Sequence, residues 1–506
     1  MTFITVYDGN NTIGGNKIYL NENGNGLFLD FGMNFKKYGY YFQEFLTPRG
    51  KRGIYDLLHL NLIPKLNIYR KDLIPSDLDT SKFPKLDVNA ILLSHAHMDH
   101  FGNIGLLNPK YPIVASPSTI MLLKGILDCS SVMLGTDVVY FSCKNKKKDK
   151  RMLETDRTKD IGRDFICTES FSDEFTKFME TRTKARKIYE EGTLTQLEDY
   201  STDFEITAYE VDHSIFGATG YLISGEKTIA YTGDFRLHGK KGKKSETFIK
   251  EAKNASILII EGTGTMKEDI SESEDIVYEN CRKSVEKAKG LIIADFSARN
   301  FERLETFQKI AQKVGRSLVI TLKDAYLLNA LRKADNINRI KDLYVYRDLK
   351  IVRKNWEYVL QEEDPEIQYI DPRSISKEPD NYLICFSLFD MNNLLDIKPN
   401  SGTYIYSSSE AFEEESEFDF VRLNHWLKHF KFKIYGFEVI DEGTREKPIF
   451  TKGFHASGHA SKKDLRWAIE IINPDIIIPV HTDNPEWFSE NFDNAVLLED
   501  GQIYEI

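Results

Sequence analysis

The feature that most constrains this chain is six residues long. His95-Ala96-His97-Met98-Asp99-His100 follows directly on an apolar run, 88–93, that reads as a strand. Zinc takes imidazole nitrogen and carboxylate oxygen, and here four such groups sit in six residues where a strand ends. Two histidines two apart can face one ion, while Asp99 and His100 face a second. Paired cations suit in-line displacement at phosphorus, because they hold the attacking and leaving oxygens.

Four ligands do not complete two such sites, so others are expected at later strand ends. His213 follows the strand-like run 204–211. Asp234, in Tyr231-Thr232-Gly233-Asp234-Phe235-Arg236, follows 228–231. His481 follows 476–480. Taken singly, each reads as a cap or a hydrogen-bonded surface group. Their shared placement beside the HxHxDH loop makes them ligand candidates.

The 506 residues exceed one ordinary compact domain and predict two or three. A net charge of −11 excludes a global positive field, so any nucleic-acid site is a local groove or a metal centre. The first part reads as short strands, 17–20 and 26–31, the latter ending in Asp30-Phe31-Gly32, with helical spacing at 104–107 and 119–127. Strands alternating with helices predict an α/β layered core. Segment 144–202 opens with KNKKKDKR and predicts a charged surface insertion with two helices. Its lysine run reads as a solvated loop, or as a grip on a nucleic-acid backbone. Residues 290–296, 300–314 and 317–321 form a strand–helix–strand unit with Gly315 as C-cap, and further strands follow at 382–386 and 403–406, then a helix over 412–430. We divide the chain into 1–267, an inserted α/β domain 268–448, and 449–506 completing the first domain.

Five cysteines, odd in number and without a CxxC pair, predict idle thiols in a reducing compartment. The N-terminus lacks signal-peptide features, and the longest apolar runs, 257–260 and 476–480, are strand-sized. A cytoplasmic protein with no membrane partner is expected.

Three further groups invite a chemical reading. His455, Ser457 and His459 form a donor cluster, expected to open a helix and hold a phosphate. Arg299, in Ser297-Ala298-Arg299-Asn300, holds a phosphate or belongs to a plain helix cap. The run RLHGKKGKK, 236–244, lines the approach of a polyanion or is a solvated turn. The acidic run 410–419 reads only as a helix start.

The chain resembles the metallo-β-lactamase superfamily in Asp30, His95-x-His97-x-Asp99-His100, His213 in VDHSIFGATGY and Asp234 in YTGDFR. It is similar to the β-CASP branch, the nucleic-acid-processing nucleases, in Glu261 of LIIEGT, His459 of HASGHAS and His481 of IIIPVH. Within that branch it is most similar to ribonuclease J. The resemblance implies an αββα metallo-β-lactamase sandwich with an inserted α/β β-CASP domain. It implies that His95, His97 and His213 hold one zinc, that Asp99, His100 and His481 hold another, and that Asp234 bridges them. A hydroxide shared by the zincs would be the nucleophile. Asp30 would sit behind the ligands and position their loop, and Glu261 and His459 would orient one another or protonate the leaving oxygen. Two zinc ions are the implied cofactors, with manganese second on ligand softness. A histidine at position 481 points within the branch to RNA rather than single-stranded DNA. A small-molecule hydrolase and a non-enzymatic partner subunit are the remaining alternatives. The first is opposed by the large inserted domain, the second by a complete ligand set. The resemblance admits an oligomer, but the 25 residues after His481 leave no room for the family's dimerising C-terminal domain.

Overall fold

The structure is a computed structural model that describes residues 1–506 except 44, 132, 183–186, 267–271, 298, 409–413, 442 and 444–445, and except the side chains of 414–418. The expected junction at 267/268 and the first part of the acidic run 410–419 lie outside the described residues.

Two sheets face one another. The first has eight strands in the order Leu194–Gln196, Phe165–Cys167, Ile113–Ala115, Ala90–Leu92, Asn25–Leu29, Lys17–Glu22, Thr2–Asp8 and Ile503–Glu505. The second has five: Glu205–Glu210, Thr219–Ser224, Thr228–Tyr231, Ile257–Glu261 and Ile476–Val480. Alternation in each strand puts one set of side chains between the sheets. Ile4, Leu20, Leu29, Leu92 and Val114 of the first meet Tyr221, Ile229, Tyr231, Ile259 and Val480 of the second. The opposite sets face helices. Phe248 and Ile249 of Gly242–Glu251, with Leu465 and Ile469 of Lys462–Ile472, cover Leu258 and Ile260. Pro117–Cys129 lies on the outer face of the larger sheet. The layering is the expected αββα sandwich.

A third, all-parallel sheet has the order Gln368–Ile370, Tyr344–Tyr346, Ser317–Ile320, Tyr382–Cys385, Leu291–Asp295, Gly402–Tyr406 and Phe432–Tyr435. Its strands are apolar on both faces, as buried parallel strands must be. Leu291 and Ile293 point into one core, Ile292 and Ala294 into the other. The second of these cores is continuous with the helix-covered outer face of the eight-stranded sheet, because Pro117–Cys129 packs on Leu322–Asp335. Gly125 allows the approach: a Cβ there would lie 2.9 Å from Leu327.

Segment 144–202 departs from expectation. Among its described residues it holds one α-helix, Asp173–Glu180, rather than two, and is otherwise mostly short strands. The charged start is an exposed hairpin, Lys144–Lys146 with Leu153–Thr155. Phe165–Cys167 instead pairs parallel with Ile113–Ala115 inside the large sheet. Three consecutive buried apolar residues made that strand, and the surrounding charge concealed it.

Candidate metal centre

The candidate groups stand at or just beyond the carboxyl ends of strands, with His97, Asp99 and His100 on the turn and short helix Met98–Phe101 that follow His95. Asp30 follows Asn25–Leu29, His95 follows Ala90–Leu92, His213 follows Glu205–Glu210, and Asp234 follows Thr228–Tyr231. Glu261 ends its own strand, and His481 follows Ile476–Val480. The backbone is bent to achieve this. Asp30 and His481 adopt φ of 58° and 53°, the left-handed region that non-glycine residues seldom occupy. Gly32 passes so close to the ligand loop that a Cβ would fall on the Asp99 carbonyl oxygen.

The side chains converge in two groups. His95 Nε2 lies 3.0 Å from His97 Nδ1, which lies 3.2 Å from His213 Nε2. His481 Nε2 lies 3.1 Å from Asp99 Oδ2, and His100 Nε2 lies 3.8 Å from the same oxygen. Asp234 Oδ2 stands between them, 3.0 Å from His100 Nε2 and 3.6 Å from both His95 and His481 Nε2. Within each group the ligand atoms are less than 4.8 Å apart. Bonds of about 2.0–2.1 Å in a tetrahedron put ligand nitrogens about 3.3 Å apart, close to the spacings found.

The atoms behind the ligands decide which nitrogen faces inward. His213 Nδ1 donates to the Gly458 carbonyl at 2.6 Å. His100 Nδ1 meets Asp30 Oδ2 at 2.7 Å, and His481 Nδ1 meets Thr263 Oγ1 at 2.9 Å. Asp30 also accepts from Ser94 N and Oγ and from the Tyr231 hydroxyl. Each ring therefore presents its other nitrogen to the cluster.

The donor set fits a cation. His100 Nε2 and Asp234 Oδ1 are buried without a hydrogen-bond partner, although Asp234 Oδ2 is 3.0 Å from that nitrogen, because the geometry there is not that of a hydrogen bond. Buried polar atoms are otherwise almost always paired. Three imidazole nitrogens pointed at one another also cannot all be satisfied by ring protons. Burial and neighbouring imidazoles push His95 and His97 well below the usual histidine range, and His213 down to about 4. Their neutral rings are the ligating form. At the other group burial opposes charge, but Asp234 and Asp99 hold the His100 and His481 rings above their usual range. Both carboxylates are in turn held down by those histidines.

His459 stands beside this cluster. Its Nδ1 is 3.0 Å from Glu261 Oε2 and 3.9 Å from Asp234. Glu261 also accepts from the backbone of Phe235 and Thr263.

Two expectations need correction, the helix start at 455–459 and the place of Arg236, and three other candidates have protein partners. The 455–459 stretch does not open a helix: the helix starts at Lys462, capped reciprocally by Ser461 and Asp464. The hydroxyl and carboxylate three apart made the stronger start. His455 faces the Ser408 and Gly436 carbonyls with its two ring nitrogens, so it is held by backbone and not turned to the metal ligands. Ser457 Oγ accepts from His459 N, and its carbonyl accepts from Arg236 and His238. Arg236 lines no approach, being fully buried against Asp212, Glu274 and Glu302. Arg299 donates to the Ala96 carbonyl within the ligand loop, while Asn300 caps the helix. Sequence reasoning passed over Ser94, Tyr231 and Thr263. Ser94 and Thr263 lie beside a motif, but an ordinary hydroxyl carries no signal of its own.

Comparison with known proteins agrees with this geometry. Residues 68–118 match the metallo-β-lactamase superfamily, and residues 452–491 match the Zn-dependent metallo-hydrolase RNA specificity domain. The chain is 25% identical over 423 residues to ribonuclease J of Pyrococcus abyssi, covering 78% of this chain and 74% of that one. It is 22% identical over 493 residues to ribonuclease J of Methanocaldococcus jannaschii, covering 95% and 91%. A crystal structure of a protein of unknown function from Enterococcus faecalis V583 shares the fold, with TM-score 0.67, 21% identity and 99% coverage of both chains.

Fold and site together define a metal-dependent hydrolase of the metallo-β-lactamase type. Within that class the chain is similar to ribonuclease J over most of its length.

Proposed function

We propose that this protein is a two-zinc ribonuclease that hydrolyses RNA phosphodiester bonds in RNA processing or decay. The observation that carries the reading is the convergence of seven side chains from the ends of four strands, with buried polar atoms among them that lack a hydrogen-bond partner and that a cation would satisfy. The match of 452–491 to an RNA specificity domain supports the substrate.

In this reading His95, His97 and His213 hold one zinc, and Asp99, His100 and His481 the other, with Asp234 shared. Zinc bound there supplies Lewis acidity and brings the ionisation of water towards neutrality. Asp30 and Thr263 keep His100 and His481 turned inward. Glu261 fixes the His459 ring through Nδ1, so that this ring can deliver a proton to the leaving oxygen. Arg299 ties the second α/β layer to the ligand loop through Ala96. Residues 268–448 would act as the wall opposite the metals, with 1–267 and 449–506 as one catalytic domain. Five cysteines without a disulfide support a cytoplasmic setting. Among the described residues no helix is long and apolar enough to cross a membrane.

The test incubates the purified protein with 5′-phosphorylated RNA, 5′-hydroxyl RNA and matching single-stranded DNA, with and without a chelator. Chelator-sensitive cutting of RNA is expected. Preferential cutting of DNA would overturn the substrate, and cutting that survives chelation would overturn the mechanism.

A further inference from the structure

Six aromatic side chains stand out among the exposed large hydrophobic residues described, and four of them fall within eleven residues: Phe35, Tyr40, Tyr41 and Phe45. Tyr40 is 68% exposed and Phe45 90%. Single exposed apolar residues are ordinary, but a cluster of rings is not. The segment is also firmly held. Phe42 is buried, packs its ring at a tilt on that of Tyr38 with centroids 4.9 Å apart, and donates from its N–H to the Tyr38 carbonyl.

The segment adjoins the metal centre on two sides. Met33 N donates to the Met98 carbonyl inside the ligand loop at 3.0 Å. Lys36 Nζ pairs with Asp483, two residues past His481, at 3.0 Å. Tyr40 and Tyr41 line a cleft of about 460 Å³ with Tyr7, Lys37, Lys65 and Asp500. Lys37 is already paired with Asp8 and Asp500. The cleft thus offers ring faces beside an Asp8–Lys37–Asp500 group whose charges already answer one another, which suits the face of a nucleobase. Stacked bases on aromatic rings are how proteins hold single strands without reading sequence.

We propose that Tyr40 and Tyr41, flanked by Phe35 and Phe45, form a stacking platform for bases of a single-stranded RNA that reaches the metal centre. The platform rests on the ribonuclease reading and adds a binding surface outside the ligand set.

The experiment compares the parent with a Tyr40→Ala/Tyr41→Ala double variant and a Tyr40→Phe/Tyr41→Phe double variant. Binding of a phosphorothioate-linked RNA carrying 2-aminopurine is followed by fluorescence quenching. Turnover of bis(p-nitrophenyl) phosphate reports the metal centre alone, and light scattering reports association. The alanine variant should bind RNA roughly tenfold or more weakly and lose the quenching. Its small-ester turnover should be unchanged, and the phenylalanine variant should match the parent. Equal RNA affinity in parent and alanine variant would overturn the platform while leaving the ribonuclease reading intact, as would equal losses in both variants. Loss of a parent dimer in the alanine variant would make the face a protein contact instead. A parent that hydrolyses the small ester but neither binds nor cuts RNA would overturn the platform together with the reading beneath it.

Discussion

Two largely buried clusters of charge lie close to one another, and they are built on opposite principles. One is the ligand set around Asp234. The other begins two residues later at Arg236, whose guanidinium meets Asp212 at 3.1 Å, Glu274 at 3.0 Å and Glu302 at 2.7 Å. Arg303 meets Glu274 at 2.9 Å and the Ser407 carbonyl. Backbone N–H groups of Lys240 and Lys241 complete Glu302 and Asp212. No side-chain atom of those five residues is buried without a partner, whereas His100 Nε2 and Asp234 Oδ1 are. Burial of charge is common to both clusters, so it marks neither. The difference is complementarity: cations answer carboxylates throughout the second, while in the first the neutral His95, His97 and His213 rings turn nitrogens toward one another. That mismatch is the physical signature of a site for a metal.

The comparison can be broken by treating each cluster as if it were the other. Removing a ligand should cost function and not fold. Asp99→Ala and His481→Ala should each reduce RNA turnover to background while circular dichroism stays unchanged. Retained turnover at equal metal content would remove that residue from the ligand set. His459→Ala should lower kcat roughly 10²- to 10⁴-fold, the usual range for a proton-transfer group. Its metal content should be unchanged, which separates it from the ligands.

Removing a partner from the closed network should do the reverse. Arg236→Met leaves three buried carboxylates short of a cation and should destabilise the fold by about 3–5 kcal/mol. Denaturant unfolding checks this. A loss below about 1 kcal/mol would mean that the network is not closed as described. Thr263→Val is the mildest change. It frees the His481 ring without removing a ligand and should weaken zinc binding roughly 10- to 100-fold, measured by competition with a chromogenic chelator.

What the sequence revealed follows the same division. The ligands were legible because chemistry demands particular residue types, and because His213, Asp234 and His481 each follow an apolar run long enough to read as a strand. Those runs gave an α/β layered core, and the αββα layering came from the family resemblance alone. The Arg236 network was not legible, because RLHGKKGKK looks uniformly basic and solvated. Only the packed structure reveals that its first residue turns inward while Lys241 and Lys244 pair with Glu210 near the surface. Phe165–Cys167 was lost for a similar reason: a three-residue strand cannot outweigh the charge around it. His455 looked like a phosphate ligand because a histidine near a motif invites that reading, whereas its ring nitrogens face the Ser408 and Gly436 carbonyls.

The central claim is that unsatisfied lone pairs at this sheet edge are completed by two cations. Metal analysis of the purified protein by mass spectrometry tests it most directly, on the parent beside His213→Ala and His481→Ala. The account predicts two zinc ions per chain in the parent and one in each variant. A parent that binds no more than one ion, or variants that both keep two, would contradict it.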